Sequence, residues 1–172
     1  MTIAPDEKEM FVRLLDQHGG IIRKVAAGYS RGGADRHDLI QEITLQLWKA
    51  YPRYSQDRPF STWMYRIALN VAISFLRSST RPGRQTVPLE EIDHEITDES
   101  GTSPETAERI VILQQVIAAL GPLDRALLLL YLDDHSYREI AAIVGITETN
   151  VATKLNRLKQ RVRRDMTQIT GE

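Results

Sequence analysis

Apolar residues recur along this chain at steps of three and four, the spacing of one helix face, and almost nowhere at the steps of two that mark a strand. Phe11, Leu14, Leu15, Ile21, Ile22 and Val25 form one such stripe and predict an amphipathic helix from about Asp6 to Ala27. Ser30, Arg31, Gly32 and Gly33 interrupt it. Asp35 is the expected N-cap of a second helix reaching about Ala50, with Leu39, Ile40, Ile43, Leu47 and Trp48 facing inward. Tyr51 to Pro59 reads as a loop, and Ser61 as the cap of a third helix ending near Arg77. Residues 78–104 hold Pro82, Gly83, Pro88 and clusters of Ser, Thr and Gly without periodicity, which marks a linker. Helical periodicity returns over Glu105 to Leu120. Pro122 suits the first turn of the next helix, which ends near Asp133 and Asp134. Ser136 and Glu139 make a capping box, Gly145 makes a turn, and Thr147 caps a last helix running to about Met166. The expected class is all-α: two small helical domains, 1–78 and 105–172, joined by a flexible linker, 79–104.

Net charge is −1, which taken alone argues against nucleic acid as a partner. The distribution reverses that inference. Arg58 to Arg84 holds five arginines and no acid, and Lys154 to Arg164 holds six basic residues and no acid. Glu90 to Glu108 holds eight acids and no base. Two basic faces flank an acidic connector.

The absence of cysteine excludes a disulfide framework, a thiolate metal site and a cysteine nucleophile. His18, His37, His94 and His135 lie in different segments without metal-ligand spacing, and no glycine-rich loop could cradle a phosphate. No cofactor and no enzymatic activity are expected. The N-terminal residues carry acids where a signal peptide carries bases. The longest apolar run, Ala126 to Leu132, is far too short to span a bilayer. The expectation is a cytoplasmic protein with no membrane insertion.

Residues 136–164 have the requirements of a helix-turn-helix. Ala141 is a small residue at the helix crossing, and Gly145 can take positive φ in the turn. Ile140, Val144, Ile146, Val151 and Leu155 are apolar locks at the right spacing. On the last helix Val151, Leu155, Leu158 and Val162 share a stripe. At about 100° per residue, Thr149, Thr153, Asn156, Arg157 and Gln160 face away from it, flanked by Lys154, Arg161 and Arg164. Such side chains hydrogen-bond base edges and phosphates. The blander alternative is a solvated basic face.

On the third helix Arg66, Asn70 and Arg77 lie within about 40° of one another, with Ser74 at the edge of their stripe. Asn70 sits among apolar residues in RIALNVAI, so a buried asparagine bonded to backbone is an equal reading on chemistry alone. Phe60 and Trp63 could stack on bases, or Trp63 could be core opposite Ile67.

Residues 35–77 and 136–164, in this order and in so short a chain, resemble an extracytoplasmic-function (ECF) sigma factor. The segment DLIQEITLQLWKAY resembles the family's polymerase-binding signature. The resemblance implies that Asp38, Gln41, Glu42 and Trp48 meet the clamp helices of the large catalytic subunit of the RNA polymerase core. A further contact goes to the flap of the other large subunit. It also implies that the third helix faces the minus-ten element of promoter DNA. The preceding loop, with Gln56, Asp57 and Arg58, would capture a base flipped from the duplex. The family recognition helix commonly reads S-x-x-T-V-K-S-R-L-x-R-A-R. Here Asn150 replaces the threonine before Val151 and Ala152 replaces the usual base after it. Thr153, Lys154, Leu155, Asn156 and Arg157 continue the frame, with Asn156 at a base-reading position. An anti-sigma factor is a further implied partner.

The linker of 26 residues reaches at most ~90 Å extended and averages ~25–30 Å as a coil. Contact sites two helical turns apart on DNA are separated by ~70 Å, so the linker spans them only when nearly extended. Two other functions fit parts of the pattern: a one-component helix-turn-helix regulator, and a sigma mimic that sequesters an anti-sigma factor.

Overall fold

The computed structural model describes residues 4–79 and 103–171, and every regular element among them is helical. The chain divides into two units, one carrying the first three helices and the other the last four. Residues 80–102 of the expected linker, with six of the eight acids of the run, lie outside the described residues, and Glu105 and Glu108 belong to the helix that follows. No helix among those residues is long and apolar enough to cross a membrane.

The first unit comprises α1 (Pro5–Tyr29), α2 (Gly33–Ala50) and α3 (Phe60–Ser79), with a single 3₁₀ turn, Tyr51–Arg53, after α2. Pro5 opens α1, and Asp6 and Glu7 place negative charge against the positive end of its dipole. Phe11, Val25, Ala26 and Tyr29 of α1 are buried against Leu39, Ile43 and Leu47 of α2 and Met64 of α3. Ala68 and Ala72 are fully buried on α3. Their small side chains let α1 and α2 both approach that helix closely.

Two expected caps are corrected. The second helix starts at Gly33 with Gly32 as N-cap and no side-chain cap bond, so Asp35 sits inside the first turn. Its carboxylate still favours the helix dipole there. The third helix starts at Phe60, where the Pro59 carbonyl accepts the Trp63 N–H at 3.2 Å, so Ser61 lies within it.

The second unit comprises α4 (Pro104–Ala118), α5 (Pro122–Leu132), α6 (Tyr137–Val144) and α7 (Glu148–Thr170). Ser103 caps α4, its hydroxyl accepting from the Thr106 N–H at 3.3 Å. The helix ends two residues before the expected Leu120, and α7 runs four residues past Met166. Leu127 and Leu130 of α5, Ile140 of α6, and Val151 and Leu155 of α7 form the core.

Arg125 is the one charged residue buried among those described, at 6% exposure. Its guanidinium donates to the carbonyls of Ala118 at 2.7 Å and Leu120 at 3.1 Å. The Ala118 carbonyl closes α4 and the Leu120 carbonyl lies two residues past its end, where the helix supplies no donor. Arg125→Met keeps the stem's volume but removes the donor. It should cost about 1–3 kcal/mol, read as a lowered urea midpoint of the circular-dichroism transition of the second unit.

Candidate nucleic-acid interface

The helix-turn-helix is built by local chemistry. The Ser136 hydroxyl accepts from the Glu139 N–H at 3.1 Å, and the Glu139 carboxylate accepts from the Ser136 N–H at 2.7 Å. The Ser136 hydrogen bonds hold the Glu139 carboxyl below its ordinary range, the backbone one foremost. Gly145 closes α6 at φ 81°, a conformation that a β-carbon would strain. Thr147 then caps α7, accepting from the Asn150 N–H at 3.1 Å. Ile140, Ile143, Val151, Leu155, Leu158 and Val162 are buried between the helices.

This packing fixes what α7 shows to solvent. Thr149, Asn150, Thr153, Asn156, Arg157, Gln160 and Arg161 are exposed, and Lys154 is half-buried at the edge of the same face. The Thr153 hydroxyl donates to the Thr149 carbonyl at 3.1 Å. Arg161 and Arg164 both lean toward Asp165, at 3.5 and 3.8 Å, in exposed pairs that solvent screens.

In the first unit the buried stripe of α3 holds Met64, Tyr65, Ala68, Leu69, Ala72 and Leu76. Arg66, Asn70, Ser74 and Arg77 are exposed on the other side. The reading of Asn70 as a core asparagine is therefore corrected: its apolar neighbours in sequence point inward and it points out. Asn70 and Ser74 line an open groove of about 600 Å³ whose far wall includes Glu42 and Gln46 of α2. Glu42 thus lies beside the outer face of α3, accepting from the Gln46 amide at 2.8 Å. Asp38 and Gln41 are exposed, and Gln41 shares a hydrogen bond with His37 at 3.0 Å. Gln41 and Trp48 line a second, apolar groove with Phe11, Ile40, Thr44 and Leu45. Of the four expected polymerase contacts, Glu42 lines the first groove, Gln41 and Trp48 line the second, and Asp38 is exposed outside both.

The loop before α3 has a floor that the sequence did not disclose. Tyr51 and Tyr54 stack nearly parallel, and with Phe60 and Trp63 they pack edge to face or tilted, with ring centroids 5.0–6.4 Å apart. Burial foremost, and the Glu7 carboxylate next, keep the Tyr51 phenol above its ordinary range. The Tyr54 hydroxyl donates to the Arg58 carbonyl at 2.9 Å, and Ser55 donates to the Asp57 carboxylate at 2.6 Å. These bonds tie the loop down while leaving Gln56, Asp57 and Arg58 exposed. Phe60 is only 7% exposed, packed on His18, Tyr54 and Trp63, so its expected stacking on bases is corrected. Trp63 is half-buried, one side in this cluster. The i, i+3 spacings of Tyr51 with Tyr54 and of Phe60 with Trp63 were the available signal.

Among the described residues no group of His, Asp and Glu could hold a metal ion.

The family model described as Sigma-70 region 2 matches residues 14–82, and that described as Sigma-70, region 4 matches residues 110–162. The chain is similar to RNA polymerase sigma factor CnrH of Cupriavidus metallidurans, at 26% identity over 170 residues, covering 92% of this chain and 87% of that protein. It is also similar to the ECF RNA polymerase sigma-E factor of Escherichia coli K12, at 28% identity over 150 residues, covering 81% and 78%. Among solved structures, the fold matches the sigma factor RpoE in complex with the anti-sigma factor NepR from Bartonella quintana. The TM-score is 0.74 at 17% identity, covering 92% of this chain and 98% of that one. The two family matches take in α2, α3 and the helix-turn-helix, the same elements that expose the polar and basic faces described above. The chain belongs to the sigma-70 family, in its extracytoplasmic-function group.

Proposed function

We propose that this sigma factor divides promoter recognition between its units, with α3 and the loop before it acting at the minus-ten element and α7 at the minus-thirty-five element. The observation that carries this reading is the exposure of both polar faces, each set opposite a fully packed apolar stripe. Asn70, Ser74, Arg66 and Arg77 would line the path of the minus-ten strand, beside a base pocket at Gln56, Asp57 and Arg58 with Trp63 below. Asp38, Gln41, Glu42 and Trp48 would bind the clamp helices of the polymerase core, and the second unit its flap. No residue is assigned a catalytic role. An anti-sigma factor is a further expected partner, supported by the structural neighbour solved with one, and the site of action is the cytoplasm.

The test is transcription by purified core polymerase and this chain from a randomised promoter library. Two separated sequence elements should be enriched. Enrichment of none, with the chain bound to core, rejects the reading. Enrichment of one element without core would favour a one-component regulator.

Within that assay Arg157→Ala should weaken the upstream element by about 1–3 kcal/mol if the arginine reads a guanine. Replacing Asn156 or Thr153 should shift the selected sequence instead. Identical selected sequences for wild type and all three variants would show that α7 reads no bases.

A further inference from the structure

Lys159 belongs by sequence to the basic run of α7, yet it does not share the surroundings of its neighbours. Gln160 is on the outward face, and Lys159, one residue earlier, is turned about 100° from it. Its ammonium lies 4.1 Å from the centroid of the Tyr131 ring and donates to the Tyr137 hydroxyl at 3.2 Å. The Tyr137 ring centroid is 5.8 Å away. Tyr131 is in the last turn of α5, Tyr137 is the first residue of α6, and all three side chains are half-buried. One cation therefore joins three helices at the mouth of the turn that leads into the helix-turn-helix.

We propose that Lys159 is a positioning residue that sets the angle of α7 by tying it to Tyr131 and Tyr137, and is not one of that helix's phosphate-contacting cations. The inference rests on the reading of α7 as the DNA-facing helix. The chemistry suits the role. An ammonium attracts the negative face of an aromatic ring while keeping donors for a hydroxyl. The two tyrosines also hold the Lys159 ammonium in its charged form above the ordinary lysine range, Tyr131 foremost. Hydrogen-bonded and stacked in this way, the charge is directed into the unit. The other five cations of the run show no such tie to another helix: Lys154 flanks the polar face, Arg157 stands on it, Arg163 is exposed, and Arg161 and Arg164 share only Asp165 of their own helix.

The experiment uses the full chain and a fluorescent duplex carrying the sequence that the wild-type holoenzyme selects, with a scrambled duplex beside it. Binding is followed by anisotropy from about 50 to about 300 mM salt, where each phosphate contact contributes about one unit to the slope of log affinity against log salt. Lys154→Ala, at the edge of the polar face, should lower that slope by about one. Lys159→Met should leave the slope unchanged, lower affinity for the selected duplex by about three- to tenfold, and narrow the preference over the scrambled one. Lys159→Arg should restore both, since a guanidinium stacks on rings and donates to hydroxyls. Tyr137→Phe leaves every charge in place and should move affinity and preference in the same direction as Lys159→Met.

Amide hydrogen exchange without DNA checks the tie itself, with faster exchange in α6 and mid-α7 in Lys159→Met and Tyr137→Phe and recovery in Lys159→Arg. A slope lowered by one in Lys159→Met, with Tyr137→Phe like wild type, would make Lys159 a phosphate contact and overturn the proposal. Exchange identical in all variants would overturn it too. A slope unchanged even in Lys154→Ala, with no preference for the selected duplex in the wild type, would reject the DNA-facing reading of α7, while exchange would still decide for or against the tie.

Discussion

Replacing both Asp38 and Glu42 by lysine should strip the chain of most of its affinity for the polymerase core. Both carboxylates are exposed and one turn apart on α2, so both could face cations of a single partner helix. Reversing them places like charges across that contact, at a cost of several kcal/mol, on the order of a hundredfold or more in affinity. The fold should survive, because exposed substitutions away from caps and cores usually stay within about 0.5 kcal/mol. Glu42 gives up only its hydrogen bond from Gln46 on the same helix. Fluorescence titration of labelled chain with core measures the effect, and circular dichroism verifies the fold. Wild-type affinity in a folded double variant would remove α2 from the polymerase interface.

Asn70→Ala combined with alanine at Gln56, Asp57 and Arg58 should abolish strand opening on duplex promoters while leaving core binding intact. Asp57→Ala removes the bond from Ser55, but the bond from Tyr54 to the Arg58 carbonyl survives all four substitutions and should hold the loop on its path. Capturing a base first requires unstacking it, at a cost of a few kcal/mol that falls in already unpaired DNA. A promoter with a pre-melted bubble should therefore recover most of the lost activity. Permanganate reactivity of unpaired thymines reads both templates. Normal opening on duplex DNA would reduce the loop to a connector.

The parts legible in the sequence are those set by neighbours close along the chain. The capping box at Ser136 and Glu139, the positive φ of Gly145 and the stripe of Val151, Leu155, Leu158 and Val162 each arise within a few residues, and each stands as read. The helix starts at Gly33 and Phe60 were misplaced because no side-chain cap marks them, and a search for Asp or Ser lands two to three residues late. Asn70 was ambiguous because a string of apolar letters does not say which way each one points. At about 100° per residue, Leu69 is buried and Asn70 is exposed. Nothing in the sequence marks Arg125 or Lys159 apart from other cations. Their roles depend on acceptors supplied by other helices, and Lys159 meets Tyr137 from 22 residues away, a relation that periodicity cannot carry. The specific base contacts and polymerase contacts are not written in any of these features, since they depend on a surface outside this chain.

The aromatic floor beneath the loop has a consequence for spectroscopy. The chain has two tryptophans, and both Trp48 and Trp63 belong to the first unit, in contact with Phe11, Tyr51, Tyr54 and Phe60. Indole emission will therefore follow the melting of α1–α3 and stay silent on α4–α7, so a fluorescence curve alone can pass for two-state while half of the molecule unfolds unseen. Circular dichroism sums the helices of both units, and any gap between the two curves gives the separate stability of the emission-dark half.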